Sequence, residues 1–296
     1  MASRTKPVGQ GSHEGVAAKE KKQGRPPKEE SLKYRQRSFE LLLTGKELTV
    51  ETLRAELKVS AKTARRLLTM LEDSCQRLVR TQRGLRIGGP GPYYFESLAR
   101  SLQEKEAIGS KLVEVSQGER SVACGPGTTV VVAARKQREA GNWPVLVTSN
   151  MGAIGLVGER SPGIIELVGG TYDVATHAVV GSAAEGFERS KCEAAVIGVS
   201  GIDAEGGLHV AHSSERPVLV ALLKSATSRI YVLFDHSKLL RMDTFRVATI
   251  QSLLEEVPGR TVHLITNALP PGDKRRSVLA KFAQMNGVKV YYADPV

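Results

Sequence analysis

Hydrophobic residues recur at helical spacing in the segment Val59–Glu72, which reads VSAKTARRLLTMLE. The positions i, i+3, i+4 and i+7 of this stripe are Ala64, Leu67, Leu68 and Leu71. Such a stripe predicts a helix with one apolar face. Ser60 precedes it and can accept hydrogen bonds from the free amides of the first turn, so we place the N-cap there.

The other face of this predicted helix is polar and basic. It carries Lys62, Thr63, Arg65, Arg66 and Thr69. A short helix that is anchored by leucines and presents arginines and a threonine suits the major groove of DNA. The alternative is an ordinary surface helix with solvated charges, and the neighbouring elements favour the DNA interpretation.

Those neighbours form a compact predicted unit. Ser31–Thr44 reads as a first helix that stops at Gly45, and Thr49 caps a second helix that continues to Leu57. The strands Arg77–Arg80 and Leu85–Ile87 can pair across a turn that Gly84 permits. This order predicts a winged helix-turn-helix with a basic wing. We expect its DNA-binding residues to be Ser60, Lys62, Thr63, Arg65, Arg66, Thr69 and Arg83.

The pattern changes after Gly88–Pro92, where GGPGP interrupts regular structure. Short β-branched runs then alternate with helical segments, which indicates an open, mostly parallel sheet covered on both faces. The predicted strands are Ser121–Cys124, Val145–Thr148, Ile164–Val168, Ala194–Val199, Ile230–Phe234, Val262–Ile265 and Val288–Tyr292. The predicted helices include Tyr93–Leu102, Glu104–Val115, one from Asn150, His177–Glu188, Pro217–Ser225 and Arg275–Met285.

Charge and length support a division into domains. The 296 residues suit about two domains. Residues 1–87 contain 20 Lys and Arg against 10 Asp and Glu, whereas the remainder contains 22 against 21. A basic head on a near-neutral body is typical of a polyanion-binding module joined to another function. We predict a disordered basic tail at 1–30, the winged helix-turn-helix at 31–87, a linker at 88–104 and a sensing domain at 105–296.

Cysteine usage and hydropathy exclude several classes of protein. Three cysteines, far apart in sequence, suggest neither a disulfide framework nor a zinc site, so we predict no metal and no cofactor. The N-terminus lacks the apolar core of a signal peptide, and no run approaches 18 continuous apolar residues. We therefore expect a soluble, cytoplasmic protein with no membrane partner.

The chemically informative residues follow the predicted strands, where ligands bind in open parallel sheets. In Gly125–Thr129 (GPGTT), the backbone amides and two hydroxyls could hold a phosphate at a helix N-terminus. The alternative is a glycine-rich turn with a threonine cap. Further strand ends are Thr148–Asn150, Gly169-Gly170, Gly201–Asp203 and Asp235–Lys238. Together they predict a polar pocket that includes Gly127, Lys238 as its cation, and the carboxylates Asp203 and Asp235.

The ordered set of motifs VSAKTARRLLTMLE, GPGTT, VTSN, VGG, AVVG, IGVSGID, FDHSK and HLITN resembles DeoR-type bacterial transcription regulators. The resemblance covers roughly Ser31–Asp294. It implies a winged helix-turn-helix joined to a domain similar to ribose-5-phosphate isomerase that senses phosphorylated sugars. On this resemblance the effector site would be lined by Thr128, Thr129, Asn150, Gly170, Asp203 and Lys238.

Two functions compete. The first is a transcription regulator, a repressor of carbohydrate metabolism genes that binds a DNA operator and a phosphorylated sugar, and acts as a homodimer or homotetramer. The second is a sugar-phosphate isomerase with a fused nucleic-acid-binding head, in which Asp203 and Glu215 would supply carboxylates. The isomerases carry a lysine shortly after the Asp pair, but Asp203–Val210 reads DAEGGLHV, so we favour the regulator and no catalytic residue. A translation-factor-like protein is a third interpretation, which the basic head disfavours.

Overall fold

The computed structural model describes residues 28–43, 47–74, 78–87, 94–116, 118–154 and 163–294. Several sequence-based expectations concern residues outside these ranges. These are the tail before Lys28, the helix stop at Gly45, the hairpin start at Arg77, the cysteine at position 75 and the GGPGP break at Gly88–Pro92.

The N-terminal head combines three helices with a small sheet. Its elements are α1 (Lys28–Leu43), β1 (Leu48–Thr49), α2 (Val50–Leu57), α3 (Ala61–Ser74), β2 (Leu78–Arg80) and β3 (Gly84–Ile87). The strands pair antiparallel in the order β1-β3-β2. Helix α1 begins three residues before the predicted Ser31, and β1 was not predicted because it is only two residues long.

The apolar stripe of α3 forms the centre of the head's core. Ala64 and Leu71 are fully buried, and Leu67 and Leu68 are nearly so. They pack with leucines from every other element of the head, namely Leu42, Leu48, Leu53, Leu78 and Leu85. The Thr63 amide donates to Ser60 Oγ at 3.1 Å, which confirms Ser60 as the N-cap. The helical periodicity therefore predicted the correct face.

A left-handed residue joins α2 to α3. Lys58 ends α2 with φ +53°, so the chain reverses within three residues and α3 crosses α2 directly. Thr49 caps the other end of α2, since the Thr52 amide donates to Thr49 Oγ1 at 3.2 Å. Both ends of this eight-residue helix are thus defined by its own sequence.

Gly84 is required for a reason other than the one the sequence indicated. It is the first residue of β3, and the β2–β3 turn is closed instead by Thr81, whose Oγ1 accepts from the amides of Arg83 and Gly84. A Cβ at position 84 would lie 2.0 Å from the carbonyl oxygen of Leu48. Glycine is needed because β1 passes against the backbone there.

The C-terminal body is an α/β layer structure. In chain order its helices are α4 (Tyr94–Ala99), α5 (Leu102–Val115), α6 (Thr128–Glu139), α7 (Met151–Ile154), α8 (Ala183–Arg189), α9 (Glu215–Ser225), α10 (Ile250–Glu256) and α11 (Arg275–Ala283). Its strands are β4 (Ser121–Cys124), β5 (Val145–Thr148), β6 (Ile164–Leu167), β7 (Thr171–Asp173), β8 (Ala178–Val180), β9 (Cys192–Gly198), β10 (Gly201–Ile202), β11 (Gly207–Val210), β12 (Ala226–Leu233), β13 (Phe245–Thr249), β14 (Thr261–Asn267) and β15 (Val288–Ala293).

Seven of these strands form one parallel sheet in the order β15-β14-β12-β9-β4-β5-β6. Side chains that alternate along β12 enter two different cores. Ile230 and Val232 pack with α8 to α11, whereas Tyr231 and Leu233 pack with α5 and α6. The predicted sheet with helices on both faces is confirmed.

The predicted helix His177–Glu188 is wrong in its first half. Ala178–Val180 is strand β8, which pairs antiparallel with β7, and Gly181 at φ +72° separates it from α8. The sheet formed by β10, β11 and β13 was also missed. Its pairing of β11 with β13 joins residues more than 30 positions apart and contains a register shift, so no local pattern announces it.

The close contact at Gly84 makes a stability prediction. Gly84→Ala should destabilise the head by about 1–3 kcal/mol because the new methyl group forces β1 away from β3. Urea unfolding of the full chain measures the change. Gly169→Ala is the matched control, because a Cβ at that position meets nothing within 4 Å. Equal behaviour of the two variants would contradict the contact.

Candidate functional site

The sheet has one topological switch point, at the carboxyl end of β4. From β4 the chain proceeds through β5 and β6 to one edge, and later returns through β9, β12, β14 and β15 to the other edge. The loops that leave β4 and β9 therefore diverge and open a crevice, where ligands of such sheets bind. The loop that follows β4 is Gly125–Gly127.

Both glycines of this loop are required, Gly127 by its backbone conformation and Gly125 by its close packing. Gly127 has φ +117°, a conformation that strains other residues, and it is the N-cap of α6. A Cβ at position 125 would lie 2.8 Å from Leu219 Cδ2. Thr128 and Thr129 form the first turn of α6 and are both buried. The first amides of a helix lack partners within it, so this terminus can receive an anion.

Asn150 fixes the loop from the next strand end. Its Nδ2 donates to the carbonyls of Gly125 at 3.3 Å and Gly127 at 3.2 Å, and its Oδ1 accepts from the Gly152 amide at 3.1 Å. The side chain is fully buried. Asn150 thus holds the loop in its conformation.

A second group of charges follows β12. Asp235 caps a 3-10 turn, His236–Lys238, by accepting from the Ser237 amide at 3.0 Å, and Lys238 Nζ lies 3.6 Å from Asp235 Oδ2. Burial alone would raise the pKa of Asp235, but Lys238 and Ser237 hold it below its usual value. Lys238 and Asp235 therefore form an ion pair beyond the carboxyl end of β12.

Lys105, which was not predicted from the sequence, acts electrostatically on both members of this pair. Only 2% of its surface is exposed, and its Nζ donates to the carbonyls of Ser97, Leu98 at 3.5 Å and Arg100 at 2.5 Å. Burial, followed by the repulsion of Lys238, lowers its pKa to about 8. The sequence did indicate that Lys105 is buried, because Lys105, Ile108 and Leu112 follow helical spacing on one face of α5. That face is buried in the structure.

Helix α4 lies across this region. Thr128 Oγ1 is 3.5 Å from the Ser97 carbonyl, which is also an acceptor of Lys105. At its other end the Tyr94 amide donates to Ala175 O at 3.0 Å, and its ring packs on His177 with 4.7 Å between centroids. The α4 segment therefore bridges the α6 terminus and the β7–β8 hairpin.

Glu215 is the most perturbed carboxyl of the site. It begins α9, and burial, followed by the charges of Asp173 and Asp243, raises its pKa from 4.5 to about 7. A backbone hydrogen bond from His212 and the charge of Lys238 oppose this rise. Asp173 itself accepts from Ser214 Oγ at 2.5 Å. The charges of Asp173, Asp243 and Lys238 thus all act on Glu215.

Two of the expected effector residues have structural roles. Asp203 Oδ2 lies 2.9 Å from His209 Nε2, and its Oδ1 accepts from the amides of Gly207 and Glu205. Burial would raise the pKa of Asp203, but these hydrogen bonds lower it. Gly170, at φ +156°, leaves no space for a Cβ, which would lie 2.3 Å from Val180 O. Both residues stabilise turns around the pocket.

The candidate DNA-binding residues lie together on the outer surface of the head. Ser60, Lys62, Arg65, Arg66 and Thr69 are exposed, and Thr63 is half-buried beside its cap. Arg83 is exposed at the β2–β3 turn. The structure therefore presents the basic face of α3 to solvent and places a basic turn in the same small domain.

Among the described residues, no group of three or more His, Cys, Asp and Glu side chains could hold a metal ion. No helix in the same ranges combines the length and the apolar character that a membrane span needs.

Comparison with known families gives one match. Residues 100–257, more than half of the chain, match the model described as the DeoR C-terminal sensor domain. The match ends at the C-terminus of α10, so β14 and β15 complete the sheet beyond it. No curated protein sequence matches the chain.

Comparison with solved structures gives distant similarities. Ribose 5-phosphate isomerase A from Neisseria gonorrhoeae is 15% identical over 46% of this chain and 53% of its own, with a TM-score of 0.33. The eIF2B beta subunit from Chaetomium thermophilum is 14% identical over 72% of this chain and 56% of its own, also with a TM-score of 0.33. The chain thus spans about half the length of each.

The environment of Glu215 predicts a pH dependence. Between pH 4.5 and about 7 the folded protein holds a proton that the unfolded chain has released, so the free energy of unfolding should fall as pH rises through this window. Glu215→Gln keeps a neutral group and should remove that part of the slope. Urea unfolding at pH 5 and pH 7.5 measures it. Parallel losses in both proteins would show that Glu215 is ionised throughout.

Proposed function

The chain belongs to the DeoR C-terminal sensor domain family, and we propose that it is a transcription regulator whose DNA affinity is set by a phosphorylated sugar. We propose further that it acts in the cytoplasm as a repressor of carbohydrate metabolism genes. The observation that carries the proposal is the combination, in one chain, of the matched sensor domain with a head that exposes the basic face of α3.

The head supports sequence-specific DNA binding as a winged helix-turn-helix. Helix α3 is held by a leucine core while Lys62, Arg65 and Arg66 extend into solvent. A helix of this size fits the major groove, where arginine recognises guanine through two hydrogen bonds. The exposed Arg83 in the wing would contact a neighbouring phosphate. One helix reads few base pairs, so we expect a dimer or tetramer on two half-sites.

The body supports the binding of a phosphorylated sugar. Gly127 and the first turn of α6 offer backbone amides, Thr128 and Thr129 offer hydroxyls, and Lys238 offers a cation. These groups can replace the water around a phosphate. Carboxylates such as Asp235 and Glu215 are acceptors for sugar hydroxyls. The two kinds of group therefore match the two ends of a sugar phosphate.

A sugar-phosphate isomerase is the second candidate, and Glu215 is the observation that favours it. A carboxyl group with a pKa of about 7 beside Lys238 could act as a general base near neutral pH. The other proposed catalytic carboxylate, Asp203, is occupied by His209 and two amides. The sensor family membership also favours a regulator. Turnover of a sugar phosphate at enzyme-like rates would reverse this preference.

The DNA proposal is tested on α3. Arg65→Ala and Arg66→Ala should each weaken operator binding by about 1–3 kcal/mol because a contact to a base edge is lost. Fluorescence anisotropy on operator and on random DNA measures the change, and Arg246→Ala, an exposed arginine of the body, is the control. Equal losses on both DNAs would assign the two arginines to phosphate contacts.

The effector proposal is tested first by thermal shift of the full chain with a panel of sugar phosphates. A ligand at 100 times its dissociation constant should add about 2.7 kcal/mol to the free energy of unfolding. Lys238→Ala and Thr128→Val should abolish both this stabilisation and the effect on operator binding, and leave DNA binding without effector unchanged. Lys224→Ala, an exposed lysine on α9, is the control. A full response in Lys238→Ala would place the site elsewhere.

A further inference from the structure

The carbonyl oxygen of Ser97 lies where an anion would be expected. It accepts hydrogen bonds from Lys105 Nζ on α5 and from the hydroxyl of Thr128 in the first turn of α6. A buried ammonium, a threonine hydroxyl and a helix N-terminus are the groups that bind a phosphate oxygen. Here they converge on a neutral oxygen that belongs to another segment of the chain, α4.

The charge of Lys105 is poorly compensated by this arrangement. Its three acceptors are the carbonyls of Ser97, Leu98 and Arg100, which carry partial charges only. The ammonium is almost completely buried, Lys238 repels it and Asp235 attracts it. Burial of a cation without an anionic partner costs free energy. A phosphate would be a stronger acceptor for both lysines than α4 is.

Helix α4 is held at its other end by different contacts. Tyr94 is buried against His177, and Phe95 packs on the same ring with 5.2 Å between centroids. Phe95 itself is 67% exposed. These contacts lie on the β7–β8 hairpin and do not involve Lys105 or Thr128. In sequence, α4 stands between the wing strand β3 and the sheet, so any change in its position acts on the segment that joins head and body.

We propose that the phosphate of the effector binds between Lys105, Lys238 and the α6 N-terminus, and that it does so by displacing the C-terminal carbonyls of α4. In the structure α4 occupies the phosphate subsite as an internal competitor. Binding then frees the C-terminal end of α4 and changes the connection between sensor and head. This inference rests on the proposed function, since it assigns the regulation of the same site.

An internal competitor has a measurable signature. If only a fraction of molecules has α4 displaced, the observed dissociation constant is the intrinsic one divided by that fraction. Variants that loosen α4 without touching the subsite must therefore bind the effector more tightly. A lysine that merely caps the end of α4 predicts no such gain, because effector and helix would not share a subsite.

The experiment is hydrogen–deuterium exchange of the full chain with ribose 5-phosphate, fructose 6-phosphate, inorganic phosphate and unphosphorylated ribose. Whichever phosphorylated probe stabilises the protein should increase amide exchange in residues 94–101 and decrease it in residues 125–130. Ribose should do neither. Stabilisation with unchanged α4 exchange would overturn the displacement and leave the regulator proposal standing. Failure of every sugar phosphate to stabilise the chain would overturn both.

Two variants with opposite expected effects complete the test. Lys105→Met preserves the length and apolar stem of the side chain and should weaken binding of the stabilising probe by at least about tenfold. Tyr94→Ala removes the contact with His177 and should tighten binding several-fold. Phe95→Ala, at an exposed position, should tighten it less and guards against misfolding of Tyr94→Ala. Lys111→Met is the control, because this lysine of α5 pairs with Glu114 and makes no contact with α4 among those described. Wild-type affinity in Lys105→Met, or unchanged affinity in both aromatic variants, would overturn the inference.

Discussion

The parallel pairing of β4 with β9 on one side and β5 on the other is the constraint from which the site follows. Because parallel strands need crossover connections, each strand must leave the sheet at the same edge, and the chain must change direction once. It does so at β4. The Gly125–Gly127 loop, the Thr148–Asn150 segment and the Asp235–Lys238 turn are brought to one edge by this topology alone, although about 110 residues separate the first from the last.

Polar groups at that edge divide into those that build the site and those that remain available to a ligand. Asn150 and Asp203 are buried and use their hydrogen bonds on backbone groups and on His209. Lys105 and Glu215 are different, because burial displaces the pKa of each toward neutrality. Groups that a fold leaves in this condition are candidates for function. The cations and carboxylates are close enough to affect one another, so one ligand could contact both.

Local sequence patterns predict the elements of the head and of the body to different extents. In the head, Ser60, Lys58 and the stripe from Ala64 to Leu71 define α3 through contacts within a few residues, so its boundaries and buried face could be predicted. In the body, the β-branched runs located all seven strands of the main sheet. The errors in the body's strands fall on β7, β8, β10, β11 and β13, which are short antiparallel strands; β11 and β13 are also far apart in sequence, and their register shifts.

The sequence by itself determined the apolar stripe of α3, the alternation of strands and helices, the charge of the head and the glycine loop after β4, because each depends on neighbours within one turn or one strand. Only the tertiary structure decided which strand-end residues share a pocket. It placed Lys105 beside Lys238, assigned Asn150 and Asp203 to structural hydrogen bonds, and laid α4 over the α6 terminus. Those outcomes depend on burial and on charges from segments far apart in the chain, and neither quantity is visible in a local pattern.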